Sequence, residues 1–220
     1  MAVKTGAGSE FVRIRELGVI PVVEITAVDD ARPLLEALGA AQLPVAEITL
    51  RTKPALEALA LMCATYPDFL IGGGTVRTLA DARQVVEAGA GFVVSPVTNP
   101  EVIGFCCARD VPVIPGACTP TEVDTAVRAG AGAVKIFPAE AIGGRPFIKA
   151  LAGPFPDVLF VPTGGIGPSN LAEYLRLRQV IACGGSWLVT PQLLGTGKFD
   201  RVTALAREAR EIVKAVRGGE

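Results

Sequence analysis

The sequence predicts an α/β chain of the (β/α)8 TIM-barrel type with one extra helix at its N-terminus, on three observations. Short apolar runs rich in β-branched residues recur eight times, amphipathic stretches of helical period separate them, and the runs end in Gly, Pro, Thr or Ser. Continuous apolar strands joined by helices imply a parallel sheet covered on both faces, and eight such units close most naturally into a barrel. A doubly wound sheet is the alternative, but no G-x-G-x-x-G follows the first strand. No shift of composition marks a linker, so residues 1–220 are expected to form a single domain.

The first sixteen or so residues are expected to form the extra helix. The strands follow as "GVIPVVEI" (18–25), "VAEITL" (45–50), "FLIGGGTV" (69–76), "GFVVSP" (91–96), "VPVIPGA" (111–117), "AVKIFPA" (133–139), "LFVPTGG" (159–165) and "VIACGGS" (180–186). Between them lie helical stretches such as "AVDDARPLLEALGAA", "TKPALEALALMCATY", "TLADARQVVEAGA" and "TPTEVDTAVRAGA", several opened by a Thr or Asp suited to an N-cap and closed by Gly. Asp29, Asp30 and Asp81 sit at helix starts, where capping and the helix dipole account for them. The segment "RVTALAREAREIVKAVRGGE" supplies the last helix.

Half of the 220 residues are hydrophobic and 20% are charged, enough for a sizeable core. A net charge of −1 gives no general attraction to nucleic acid or to an anionic membrane. No apolar run approaches the roughly 20 residues needed to span a bilayer, and no secretory signal is visible, so a cytoplasmic protein is expected. The five cysteines form no C-x-x-C pair, which suggests reduced, mostly buried side chains rather than a zinc or disulfide framework. There is no histidine. That removes the commonest general base, the Ser-His and Cys-His nucleophile pairs, and the usual nitrogen ligands of catalytic zinc.

In barrels of this kind chemistry sits at the C-terminal strand ends. Glu47, Thr49, Arg51, Thr75, Ser95, Pro96, Lys135, Phe137, Thr163 and the glycines of the last two loops all fall there. Side chains two apart share a face of a strand. Glu47, Thr49 and Arg51 therefore share one face, and Ala133, Lys135 and Phe137 point to the barrel axis. A carboxylate and an amine would both enter the interior, where a lone charge is expensive. One explanation is a structural ion pair of Glu47 with Lys135 or Arg51. Their place on the catalytic face, with no histidine available, favours a functional pair instead. A desolvated lysine gives up its proton more readily than one in water, and as a free amine it attacks a ketone or aldehyde to form a Schiff base. A neighbouring carboxylate can move the protons that the reaction requires.

"PTGGIGPSN" and "CGGSWL" each lead from a strand into a helix, so backbone N–H groups and helix N-termini would converge where such barrels commonly hold phosphate. Cys118 could line the site, but nothing beside it makes a thiolate. Trp187, the single tryptophan, reads as core.

Taken together, "EITLRT", "GGGTV", "SPVTNPE", "IPGACTPTE", "VKIFPAE", "GPFPDVLFVPTGGI" and "CGGSWLV" closely resemble, in order and spacing, the 2-dehydro-3-deoxy-6-phosphogluconate aldolases, class I enzymes of the Entner–Doudoroff pathway. The resemblance runs from about residue 18 to about 215. It implies that Lys135 forms the Schiff base with the C2 ketone and that Glu47 shuttles protons. It implies that Arg51 and Thr75 bind the pyruvate-derived carboxylate with backbone help from Gly74, and that Pro96 and Phe137 shape the pyruvyl pocket. Thr163 would meet substrate hydroxyls, and Gly164, Gly165, Gly184 and Ser186 would hold the phosphate. It further implies a homotrimer, no metal or cofactor, and in many members cleavage of 4-hydroxy-2-oxoglutarate. Two departures stand out: Glu24 where some members carry arginine in the phosphate set, and Gly73 where alanine is common. The 4-epimeric phosphogalactonate substrate remains an alternative, as does a phosphosugar isomerase or epimerase with Glu47 as base.

Overall fold

The computed structural model describes residues 7–218. Helix α1 (Ala7–Leu17) is the expected extra helix; residues 1–6 of that expectation lie outside the described residues. Its Phe11, Ile14 and Leu17, three residues apart, form one buried stripe. Its last carbonyls, on Glu16 and Leu17, accept hydrogen bonds from Arg210 Nη1 at 2.9 and 2.7 Å, which satisfies groups that a helix end leaves without partners.

Strands and helices then alternate: β1 (Val19–Val23), α2 (Ala31–Ala40), β2 (Val45–Thr49), α3 (Ala55–Thr65), β3 (Leu70–Gly74), α4 (Leu79–Glu87), β4 (Phe92–Val94), α5 (Pro100–Cys107), β5 (Val113–Ile114), β6 (Gly116–Ala117), α6 (Pro120–Arg128), β7 (Ala133–Ile136), α7 (Gly144–Ala152), β8 (Leu159–Pro162), α8 (Pro168–Leu175), β9 (Cys183–Gly185), α9 (Pro191–Gly195) and α10 (Phe199–Arg217). The fifth apolar run divides into β5 and β6 at Pro115, which has no N–H to give a ladder.

All pairings are parallel. One ladder has the order β5-β4-β3-β2-β1-β9 and the other β6-β7-β8. The fifth run joins them at one side; at the other, isolated bridges pair Phe160 with Val180 and Thr163 with Gly184. The class expected from the sequence is therefore present, an α/β fold with parallel strands curled around a shared interior. Helix starts follow local rules. Thr78 and Asp81 form a reciprocal capping box on α4. Asn99, Thr119 and Thr190 each cap a helix whose first residue is proline. Asp30 precedes α2 without a side-chain capping bond, so capping accounts for Asp81 but not for Asp30.

The apolar core runs from Phe11 to Val213 as one contiguous cluster. Two cysteines depart from expectation: Cys106 and Cys183 are buried and Cys63 half-buried, but Cys107 and Cys118 are exposed. Trp187 is half-buried against the core rather than within it, and its indole nitrogen, though buried, has no hydrogen-bond partner. Among the described residues no helix is long and apolar enough to cross a membrane.

Candidate active site

Glu47 on β2 and Lys135 on β7 belong to different ladders, yet their side chains meet. Lys135 Nζ lies 3.7 Å from Glu47 Oε1, and both side chains are at least nine-tenths buried. Register fixes this: Glu47 stands between Val22 and Gly72, and Lys135 between Gly116 and Val161. With strands curled, both residues project to the common interior. At 3.7 Å the two groups attract without a hydrogen bond, and Oε1 has no such partner among the described residues. A buried carboxylate oxygen left open beside a buried amine is a costly arrangement for a purely structural pair. The Nζ also lies 5.2 Å from the centre of the Phe137 ring, whose face favours a cation.

Gly74 makes room for the acid. A Cβ there would sit 2.5 Å from Glu47 Cγ and 2.8 Å from Cδ. Thr49, next on the Glu47 face, is fully buried and donates to the Val23 carbonyl at 2.9 Å, a bond that ties β2 to β1.

Arg51 differs from the alternation argument. The strand ends at Thr49, so Arg51 lies in the following turn and is exposed. Its Nε donates to Thr75 Oγ1 at 3.1 Å, and its Nη1 lies 3.8 Å from Glu24 Oε2. Thr75 holds a left-handed φ of 59°, unusual for a β-branched residue. The family resemblance groups Arg51 with Thr75, and the two are hydrogen-bonded; Glu24 as a second neighbour of Arg51 emerges only from the fold.

Ser95 is buried and its hydroxyl accepts from the Val97 N–H, while Pro96 and Phe137 are half-buried nearby in sequence to the strand ends. Thr163 is buried at the end of β8, with its hydroxyl 3.5 Å from the Val161 carbonyl. Gly164 and Gly165 follow with φ of 99° and 78°, Gly165 and Ser186 are exposed, and Gly184 is buried against Thr163. The four phosphate candidates thus divide: Gly164, Gly165 and Ser186 reach solvent, and Gly184 backs Thr163. Sequence reasoning did not single out Glu140, an exposed residue whose stem lies against Gly165, or the buried Tyr174, which donates a hydrogen bond to it. Glu140 stands in the quoted "VKIFPAE", but its partner is 34 residues away.

Elsewhere a cavity of about 380 Å³ opens beside α1, lined by residues including Arg13, Cys63 and Leu70. Leu70 begins β3, so this cavity is at the end of the strands opposite the carboxylate–amine pair. Cys118 is also an unpromising nucleophile: its hydrogen bond to Glu122, then burial, pushes its thiol up.

A buried amine beside a carboxylate whose facing oxygen makes no hydrogen bond, with an arginine at the strand ends and a glycine turn beyond, can perform amine-carbonyl chemistry with proton transfer. Known proteins agree. The model of the KDPG and KHG aldolase family matches residues 11–205. A 2-dehydro-3-deoxy-phosphogluconate aldolase of Treponema pallidum is 46% identical over 92% of this chain and 97% of its own length. The Legionella pneumophila KDPG aldolase, solved with pyruvate captured as a covalent carbinolamine, superposes with TM-score 0.88 at 41% identity, over 94% of this chain and 98% of that one. The Zymomonas mobilis enzyme with 3-phosphoglycerate gives 0.86 at 36%, over 96% and 97%. With its family model spanning most of the sequence and close relatives matched end to end, the chain belongs to the KDPG and KHG aldolase family.

Proposed function

We propose that the protein is a metal-independent class I aldolase cleaving 2-dehydro-3-deoxy-6-phosphogluconate to pyruvate and glyceraldehyde 3-phosphate, and also 4-hydroxy-2-oxoglutarate to pyruvate and glyoxylate. The observation that carries this reading is the buried Lys135–Glu47 contact, in which the facing carboxylate oxygen has no hydrogen-bond partner among the described residues.

Lys135, as the free amine, attacks the C2 ketone. Glu47 delivers a proton to the carbinolamine hydroxyl, water leaves, and an iminium forms. The C3–C4 bond then breaks; its electrons move into the iminium to give an enamine, and the C4 hydroxyl loses its proton as the aldehyde departs. Protonation at C3 and hydrolysis return pyruvate and the amine. The carbinolamine held by the Legionella pneumophila structure supports the covalent route.

Arg51, placed by Thr75, would bind the carboxylate of the pyruvyl part, and Gly74 would keep space for Glu47. Pro96 and Phe137 would wall that pocket. Thr163 would meet a substrate hydroxyl, while the N–H groups around Gly164, Gly165 and Ser186, backed by Gly184, would take the phosphate. The Zymomonas mobilis structure, with 3-phosphoglycerate, supports a phosphate-bearing ligand.

The two ladders would form one eight-unit barrel in a single domain, supported by the shared fifth run and the bridges between β8 and β9. A cytoplasmic homotrimer is our expectation for the assembly, on family resemblance. The test of the chemistry is borohydride reduction in the presence of pyruvate followed by intact mass and peptide mapping. One reduced pyruvyl unit on Lys135 is expected; no adduct, or an adduct elsewhere, refutes the mechanism.

A further inference from the structure

We propose that Tyr174 and Glu140 are positioning residues for phosphate recognition, a clamp that holds the Gly164–Gly165 turn in shape. The inference rests on assigning the phosphate to that turn.

Tyr174, on α8, is fully buried and donates its phenolic proton to Glu140 Oε1. Burial, and then the Glu140 bond, push that phenol well above its ordinary value, so the hydroxyl stays a donor at any working pH. Glu140 follows "IFPA", and its backbone N–H donates to the Gly164 carbonyl at 3.1 Å while that of Ala139 donates to the Thr163 carbonyl at 2.8 Å. The segment after β7 is therefore laid along the segment after β8, residue by residue.

Two close approaches fix the pair. A Cβ on Gly165 would stand 2.6 Å from both Cβ and Cγ of Glu140, so the glutamate stem lies directly against the bare Cα. A Cβ on Gly144 would stand 3.0 Å from the Tyr174 oxygen and 3.1 Å from Glu140 Oε1, so that glycine leaves the space the hydrogen bond occupies. From the far side Asn170 donates to the Gly165 carbonyl at 3.1 Å and accepts from the Gly167 N–H at 2.9 Å. With the Gly164 and Gly165 carbonyls both engaged, their peptide planes are set, and the intervening N–H groups keep one direction.

Neither residue would touch the reacting carbons, so the signature is selectivity. Steady-state cleavage is measured with 2-dehydro-3-deoxy-6-phosphogluconate and with its unphosphorylated counterpart, for the parent protein, Tyr174→Phe, Glu140→Ala and Glu140→Gln. Tyr174→Phe and Glu140→Ala are expected to raise KM for the phosphorylated substrate roughly three- to tenfold, leaving kcat and the unphosphorylated reaction within about twofold. Glu140→Gln, which keeps an acceptor, is expected to restore KM to within about twofold of the parent. If the parent itself gains nothing from the 6-phosphate, the assignment of the turn fails and the clamp with it. If the parent prefers the phosphorylated substrate but the variants shift both substrates equally, or neither, the assignment stands and the clamp is overturned.

Discussion

Replacing Gly74 by alanine tests the site through one methyl group. The new Cβ would lie 2.5 Å from Glu47 Cγ and 2.8 Å from Cδ, where carbon atoms rest at roughly 3.5 Å or more. Glu47 is held on both sides by ladder bonds of β2, so its backbone cannot follow, and the carboxyl must retreat by about 1 Å. A misplacement of that size costs on the order of 10²-fold in rate. Overpacking should also cost about 1–3 kcal/mol of stability. The neighbouring glycine separates the two effects. A Cβ on Gly73 would meet Val85 of α4 at 2.6 Å, on the opposite face of β3. Gly73→Ala should therefore cost a similar amount of stability and leave kcat unchanged. The assay is pyruvate release under saturating substrate, with thermal melts on the same preparations. If Gly74→Ala kept kcat within about threefold of the parent, or if Gly73→Ala lost as much, the geometric argument would be wrong.

Lys135→Met should abolish borohydride trapping and reduce cleavage to background, since among the described residues no other lysine is buried; retained cleavage in a coupled pyruvate assay would refute the covalent route. Glu47→Gln should keep pyruvate binding but slow trapping and turnover by about 10²–10⁴-fold, read by single-turnover kinetics. Glu24→Gln should change KM by less than about threefold, because the Glu24–Arg51 pair is half-exposed and 3.8 Å long. Burial pushes the Cys63 thiol up to about 11 and the Cys106 thiol up to about 12. The unfolded chain therefore loses these protons first, and stability that is intact below pH 9 should fall progressively as pH rises towards 11–12. Urea midpoints at neutral and alkaline pH check the sign, which should weaken in Cys106→Ala.

The features legible in the sequence are those that depend on local period. Two-residue alternation put Glu47 and Lys135 on interior faces, and Thr78, Asn99, Thr119 and Thr190 announce their helices because caps are written within four residues. Arg51 shows the limit: alternation continues only as long as the strand, and the strand stops at Thr49. Pro115 carries no N–H to donate, but the consequence of that, one run shared by two ladders, needs the whole topology. Glu140 and Tyr174 carry no local signal. A buried phenol and a carboxylate 34 residues apart become partners only when β7 and β8 lie side by side.

The two hydrogen bonds from Arg210 to the end of α1 connect residues more than 190 positions apart. They set a temporal order on a ribosome. The first helix emerges with its terminal carbonyls open, and it waits through the synthesis of every strand before α10 arrives to close it. The same late helix delivers Arg217 to the Ile181 carbonyl at 2.7 Å, just ahead of the strand that pairs with β1. Until α10 is made, the end of α1 and the Ile181 carbonyl lack these partners, so the margin where β9 meets β1 is the last part of the fold that can be fastened.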